Sequence, residues 1–291
     1  AEIDRALRLT MAQAAQTVFQ QGGDPQAEFA RIRQENQALQ REREWLVEDN
    51  FEEGFLDDAP VCTVCGGSGY VGARMCECLR ELCRQEQKKE LTLLTGAARE
   101  TFEGFRLSYY SDQVDPNLGV SPRAVMTGTL QTCRRYAQSF TLKSGNLLLN
   151  GNPGLGKTFL SACIARVVAA KGFSVCYDSA SAALEAFERQ KFSREPEEAE
   201  AAAVRVRRML SCDLMILDDL GTEMVTPMSL SALYTLINTR LVTGKKTIIS
   251  TNCPDLELQR KYTPQICSRL SGEFLCLPFV GQDIRLIRKG V

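Results

Sequence analysis

Hydrophobic positions recur at helical spacing in the first part of the chain and gather into short continuous runs in the second. Ile3, Leu7, Met11, Ala14 and Val18 fall on one face of a helix over residues 2–21, closed by Gly22-Gly23. Asp24-Pro25 has the form of an N-cap followed by a first-turn proline. Phe29, Ile32, Asn36, Leu39, Arg43 and Leu46 then follow on alternating steps of three and four. That is about three heptads, with Asn36 at an a-type position where a polar side chain can set register. Two readings stand: a helix packed on its own domain, or one arm of a partner-binding helical hairpin. Leu79 to Glu90 predicts a charged helix and 91–120 an irregular linker. Ser121-Pro122 starts a helix whose apolar face is Met126, Leu130, Cys133, Tyr136, Ala137 and Phe140.

From Asn146 the pattern changes. Leu147-Leu148-Leu149, Phe173 to Tyr177, Leu214 to Asp219 and Thr247 to Asn252 are short, mostly apolar runs. Helical stretches separate them: Phe159 to Ala170, Ser179 to Gln190, a loop and helix within 191–210, and Ser229 to Val242. The Arg/Glu/Ala-rich stretch 191–210 reads most simply as a solvated face. Strands apolar on both sides, alternating with helices, predict an α/β fold with a parallel sheet flanked by helices.

Composition narrows the chemistry. The 291 residues are 44% hydrophobic and 24% charged, with a net charge of −1, so no overall basic field announces nucleic acid. No apolar run approaches the length of a membrane span, and the charged, helical N-terminus is unlike a signal peptide. The expectation is a cytoplasmic protein with no membrane partner. Histidine is absent, which removes Ser-His and Cys-His catalysis and every zinc site that needs imidazole. The 12 cysteines then suggest thiolate–metal chemistry or simple burial rather than disulfides.

Three motifs follow. Gly151-Asn152-Pro153-Gly154-Leu155-Gly156-Lys157-Thr158 fits G-x-x-x-x-G-K-[ST] between a strand and a helix that opens at Phe159. Its glycines let successive amides curl around a phosphate, and the helix N-terminus adds its dipole. Lys157 would reach the β- and γ-phosphates of ATP, and Thr158 would hold Mg²⁺. The strand Leu214-Met-Ile-Leu ends in Asp218 and Asp219, the pair expected to serve that loop. Asp218 would support Mg²⁺, and Asp219 would orient or deprotonate the attacking water, with Glu223 in reserve. Asn252, at the end of another strand, suits a hydrogen bond to the γ-phosphate or the water.

The third motif is Cys62-x-x-Cys65-Gly-Gly-Ser-Gly followed by Cys76-x-Cys78. A C-x₂-C before glycines makes a tight turn whose amides can hydrogen-bond thiolates, and a second pair completes four soft ligands for a tetrahedral, structural Zn²⁺. Cys83 is an alternative ligand, and merely buried cysteines are the other reading.

The series LMILDDLGTE, ALYTLINTR, TIISTN, ICSRLSGE and FVGQDIR resembles the AAA+ ATPases of the bacterial replicative helicase-loader family (DnaC/DnaI type) over roughly residues 101–291. The cysteine cluster and the segment TFEGFRLSYYSD are similar to the DnaI-like branch. The resemblance implies an ATPase, slow in turnover, with Asn252 as sensor 1, Arg269 as an arginine finger acting on a neighbouring subunit, and Arg285 as a sensor 2-like arginine. It also implies a minimal helical lid, the sequence ending shortly after Arg285, and an extra helical insertion at 182–210. Expected partners are a DnaB-type replicative helicase bound through the N-terminal domain, single-stranded DNA, and further copies of the chain through their ATP sites. The corresponding division is a helical or coiled-coil region at 1–60, a zinc module at 61–90, the linker at 91–120 and the ATPase domain at 121–291. Two other readings are an IstB-type transposition helper, which would bind a transposase and duplex DNA, and a nucleotide-switched adaptor with negligible turnover.

Overall fold

The computed structural model describes residues 25–50, 62–82 and 101–289, together with Ile3, Ala6 and Gln85. Apart from Ile3 and Ala6, the helix expected over 2–21 lies outside the described residues, as do Gly22-Gly23, Asp24, Cys83 and 91–100. By internal contacts the chain divides into two compact units, Ala1–Ser68 and Gly69–Val291. In the first, α1 (Pro25–Asn50) is one continuous helix along the three-and-four pattern, with Trp45 exposed and Leu39 half-buried.

The second unit opens with an antiparallel hairpin of β1 (Tyr70–Val71) and β2 (Arg74–Met75). Its body is a five-stranded parallel sheet of β3 (Asn146–Gly151), β4 (Val175–Ser179), β5 (Leu214–Leu220), β6 (Lys246–Thr251) and β7 (Phe274–Phe279). The spatial order is β4-β5-β6-β3-β7, so β6 lies between the glycine-loop strand and the strand that ends in the two aspartates. The helices are α2 (Pro122–Gln138), α3 (Lys157–Ala170), α4 (Ala180–Phe192), α5 (Pro196–Ser211), α6 (Pro227–Val242), α7 (Asp255–Lys261), α8 (Pro264–Glu273) and α9 (Ile284–Lys289). Among the described residues no helix is long and apolar enough to cross a membrane.

The apolar runs are continuous because both faces of the sheet are covered. Leu147, Leu149, Leu214, Ile216, Ile248, Val175 and Tyr177 point to one face, where they pack with α2 and α3 residues Met126, Cys133, Leu160 and Ile164. Leu148, Met215, Leu217, Ile249 and Cys176 point to the other, packing with Ala183, Phe187, Met209, Leu233, Leu236 and Ile266. Local chemistry sets the helix starts. Ser121 accepts a hydrogen bond from the Ala124 amide ahead of α2, Ser179 does the same for α4, and Thr226 with Ser229 forms a capping box at α6.

The sheet's lower rim is organised by Arg240, which is completely buried. Its guanidinium donates to the carbonyls of Met209, Cys212 and Lys246 and to Thr247 Oγ1, joining the end of α5 to the start of β6. Exchange for Met keeps most of the volume but leaves those carbonyls unpaired in the core. Arg240→Met is expected to lower the unfolding free energy by about 3 kcal/mol, read from urea denaturation; an unchanged midpoint would contradict the assignment.

Candidate nucleotide site and cysteine cluster

The glycine loop turns out of β3 and into α3 as its sequence predicts, and it closes one wall of a cavity of about 590 Å³. Pro153, Gly154, Leu155, Gly156, Lys157, Thr158 and Phe159 line this cavity, together with Asp219, Asn252 and Arg285. Gly151 and Asn152 sit at the root of the loop, where their carbonyls accept hydrogen bonds from Lys157 Nζ at 2.5 and 2.8 Å. Gly154 has φ +77°, and a Cβ there would overlap the Asp283 carboxylate. The loop therefore needs glycine both for conformation and for the close approach of the segment after β7. The Ile284 amide donates to the Gly154 carbonyl at 3.1 Å, which ties α9 directly to the loop.

The insertion of β6 between β3 and β5 gives the site its polar centre. Lys157 Nζ donates to Asn252 Oδ1 at 2.6 Å, and Asn252 Nδ2 donates to Asp219 Oδ1 at 3.4 Å. Lysine, asparagine and aspartate thus form one line across three adjacent strands. Asp218 and Asp219 occupy a register irregularity between Leu217 and Leu220. Asp219 has φ +56°, a left-handed backbone that turns its carboxylate toward the cavity. Asp218 is buried behind it, accepting hydrogen bonds from Tyr177 Oη at 2.8 Å and from Ser250 Oγ.

Electrostatics follow from this packing. Burial pushes the Lys157 ammonium down to about 8, against the attraction of Asp219 and Asp218. Burial, reinforced by the adjacent Asp218, raises the Asp219 carboxyl above the usual carboxylate range. Arg106, Arg285 and Arg288 line the same cavity, so its walls suit a polyphosphate anion.

Besides Asp218 and the loop root, two further expected residues lie outside the cavity lining. Arg269, on α8, donates to Asn238 Oδ1 at 2.7 Å and to Tyr234 Oη at 2.9 Å, with its guanidinium over the Tyr234 ring. Glu223 accepts from the Gly221 amide at 2.8 Å and from Tyr262 Oη, so both of its oxygens are engaged outside the cavity.

Sequence reasoning missed another part of the cavity lining. Residues 101–110, read as linker, form two 3₁₀ turns, Phe102–Gly104 and Leu107–Tyr109, that close over the glycine loop. Tyr110 is buried and donates to the Leu155 carbonyl at 2.9 Å, while Phe105 stacks on Tyr110 and tilts against Phe159. The available signal was the aromatic density of TFEGFRLSYY, too high for a solvated linker.

The sulfurs of Cys62, Cys65, Cys76 and Cys78 lie within 4.8 Å of one another. The loop holding them is closed by Ser68 N–H donating to the Cys65 carbonyl and Cys76 N–H donating to the Gly69 carbonyl. Tetrahedral Zn–S bonds require sulfur separations of about 3.8 Å, so four convergent thiols at this spacing fit a zinc site.

Fold and site together have the form of a P-loop ATP-binding domain of α/β architecture. Residues 119–262 match the family model described as IstB-like ATP binding protein. No curated protein matches the chain significantly. Similar solved structures include a DNA replication initiation factor, at 17% identity and TM-score 0.47, aligned over 62% of this chain and 49% of that one. The DnaC helicase loader aligns at 18% identity and TM-score 0.48 over 62% of this chain and 98% of its own. DnaI aligns at 19% and 0.47 over 64% and 91%. The chain thus spans about half the length of the initiation factor it matches.

Binding a polyphosphate stabilises the Lys157 ammonium, so its pKa in the complex lies above the free value of about 8. Nucleotide affinity is accordingly expected to be greatest below pH 8 and to fall as pH rises through that value, with proton uptake on binding. Calorimetry near pH 8.5, in two buffers of different ionisation enthalpy, should show buffer-dependent heats that disappear in Lys157→Met. For the cysteine loop, metal analysis should find zinc bound to the purified chain and lost from Cys62→Ser; an equal zinc content in the two proteins would refute the site.

Proposed function

We propose that this protein is an ATP-dependent loader of a DnaB-type replicative helicase onto single-stranded DNA. ATP binding assembles protomers, the N-terminal helical and four-thiol region (1–60 and 61–90) grips the helicase, and the ATPase region (121–291) engages DNA. Slow hydrolysis then releases the complex.

The loop amides and Lys157 would hold the phosphates, and Thr158 would hold a Mg²⁺ that offsets phosphate charge, with Asp218 supporting that ion from behind Asp219. Asp219, with its raised pKa, takes the proton of a water that Asn252 helps to orient, and Arg285 senses the nucleotide from α9. The observation that carries this reading is the placement of Arg269. It is absent from the walls of its own nucleotide cavity and is held on α8 by Tyr234 and Asn238, as suits an arginine that acts on a neighbouring protomer. The four-thiol module ahead of the ATPase favours the loader. The IstB-like family description favours a second reading, a transposition helper using the same ATPase with a transposase and duplex DNA.

Asp219→Asn and Arg269→Ala are each expected to lose about 100-fold or more in ATP turnover. Mixed together they should regain measurable turnover, because each supplies what the other lacks; a mixture as inactive as its parts would remove the shared site. Capture from host lysate with the full chain and a non-hydrolysable ATP analogue separates the readings. Replicative helicase in the bound fraction supports the loader, and a transposase supports the helper.

A further inference from the structure

The turn after Asp219 is bolted to the junction between α7 and α8. Lys261 Nζ donates to the Gly221 carbonyl at 2.8 Å, while the Gly221 amide donates to Glu223 Oε2 at 2.8 Å. The other oxygen of Glu223 accepts from Tyr262 Oη, and Tyr262 is buried. Both polar groups of the Gly221 peptide are thus held, one directly and one through Glu223, by the last residue of α7 and the residue that follows it. Gly221 itself has no room to change, because a Cβ there would overlap Cys253 Sγ beside Asn252.

These bonds belong to a closed circuit. Glu223 lies in the connection between β5 and α6, and Tyr262 lies one residue before Thr263, which caps α8. Arg269 on α8 then returns to α6 through Tyr234 and Asn238. At its other end the turn adjoins the site, since Thr222 Oγ1 donates to the Asp219 carbonyl at 2.8 Å and Asp219 bonds Asn252.

We infer that Glu223 and Tyr262 are positioning residues that set α8, and with it Arg269, in register with the Asp219 turn. In this way a protomer's own nucleotide site fixes the arginine it offers to its neighbour. This inference rests on the ATPase reading above, with Arg269 acting between protomers.

The mixed assembly provides the test. One protomer, Asp219→Asn, donates Arg269 and cannot hydrolyse ATP; the other, Arg269→Ala, hydrolyses ATP and lacks the arginine. Tyr262→Phe, which keeps the ring and removes only the hydroxyl, is introduced into either one. In the donor it is expected to lower kcat about tenfold with the KM for ATP unchanged within about twofold; in the acceptor it should leave kcat near that of the parent mixture. Glu223→Gln in the donor should behave in the same way, and a thermal melt of each variant reports its folding. An unchanged kcat with the donor variant, or an equal or larger loss with the acceptor variant, overturns the inference. A parent mixture with no turnover overturns the ATPase reading itself, and so separates the two failures.

Discussion

The hydrogen bond from Lys157 to Asn252 is the contact on which the candidate site depends. It exists because β6 runs between the glycine-loop strand and the aspartate strand, bringing residues far apart in sequence to one rim of the sheet. A parallel sheet aligns the carboxyl ends of its strands on one edge, and ligands collect there where strand order departs from chain order. Here the order β4-β5-β6-β3-β7 puts such a departure on each side of β3.

Everything around that line serves to hold it under load. The line contains a partly desolvated ammonium and a raised carboxyl, and neither is comfortable without its neighbours. Two hydroxyls fix Asp218 from behind, and the irregularity in β5 lets consecutive carboxylates face different ways. Below, Arg240 ties helix ends and strand starts together, so the rim stands on a rigid base. Above, the aromatic turns at 101–110 and the start of α9 line the cavity together with the glycine loop.

Legibility varied with the range of the interaction. The glycine loop, the aspartate pair and the asparagine strand were readable because each is a local pattern: an apolar run, then a polar group at its end. The strand β7 was not, since its exposed Leu275 and Cys276 and its Pro278 break the signature of a central strand; as the edge partner of β3 it needs pairing on one side only. The aromatic turns were passed over because 3₁₀ segments have no useful periodicity. Glu223 is a further case: its spacing after Asp219 allows a catalytic base, and only a tyrosine thirty-nine positions away shows that it is engaged elsewhere.

The sequence by itself determined where the glycine loop and the paired cysteines stand, and that strands alternate with helices around a sheet buried on both faces. Those properties rest on short-range chemistry: glycine conformations, thiol spacing and the period of apolar side chains. Only the tertiary structure decided that Asn252 stands between Lys157 and Asp219, that Arg269 packs on Tyr234 and Asn238 of α6, and that residues 101–110 line the cavity. Strand order and helix docking are set by burial summed over the whole core, and no local pattern encodes that sum.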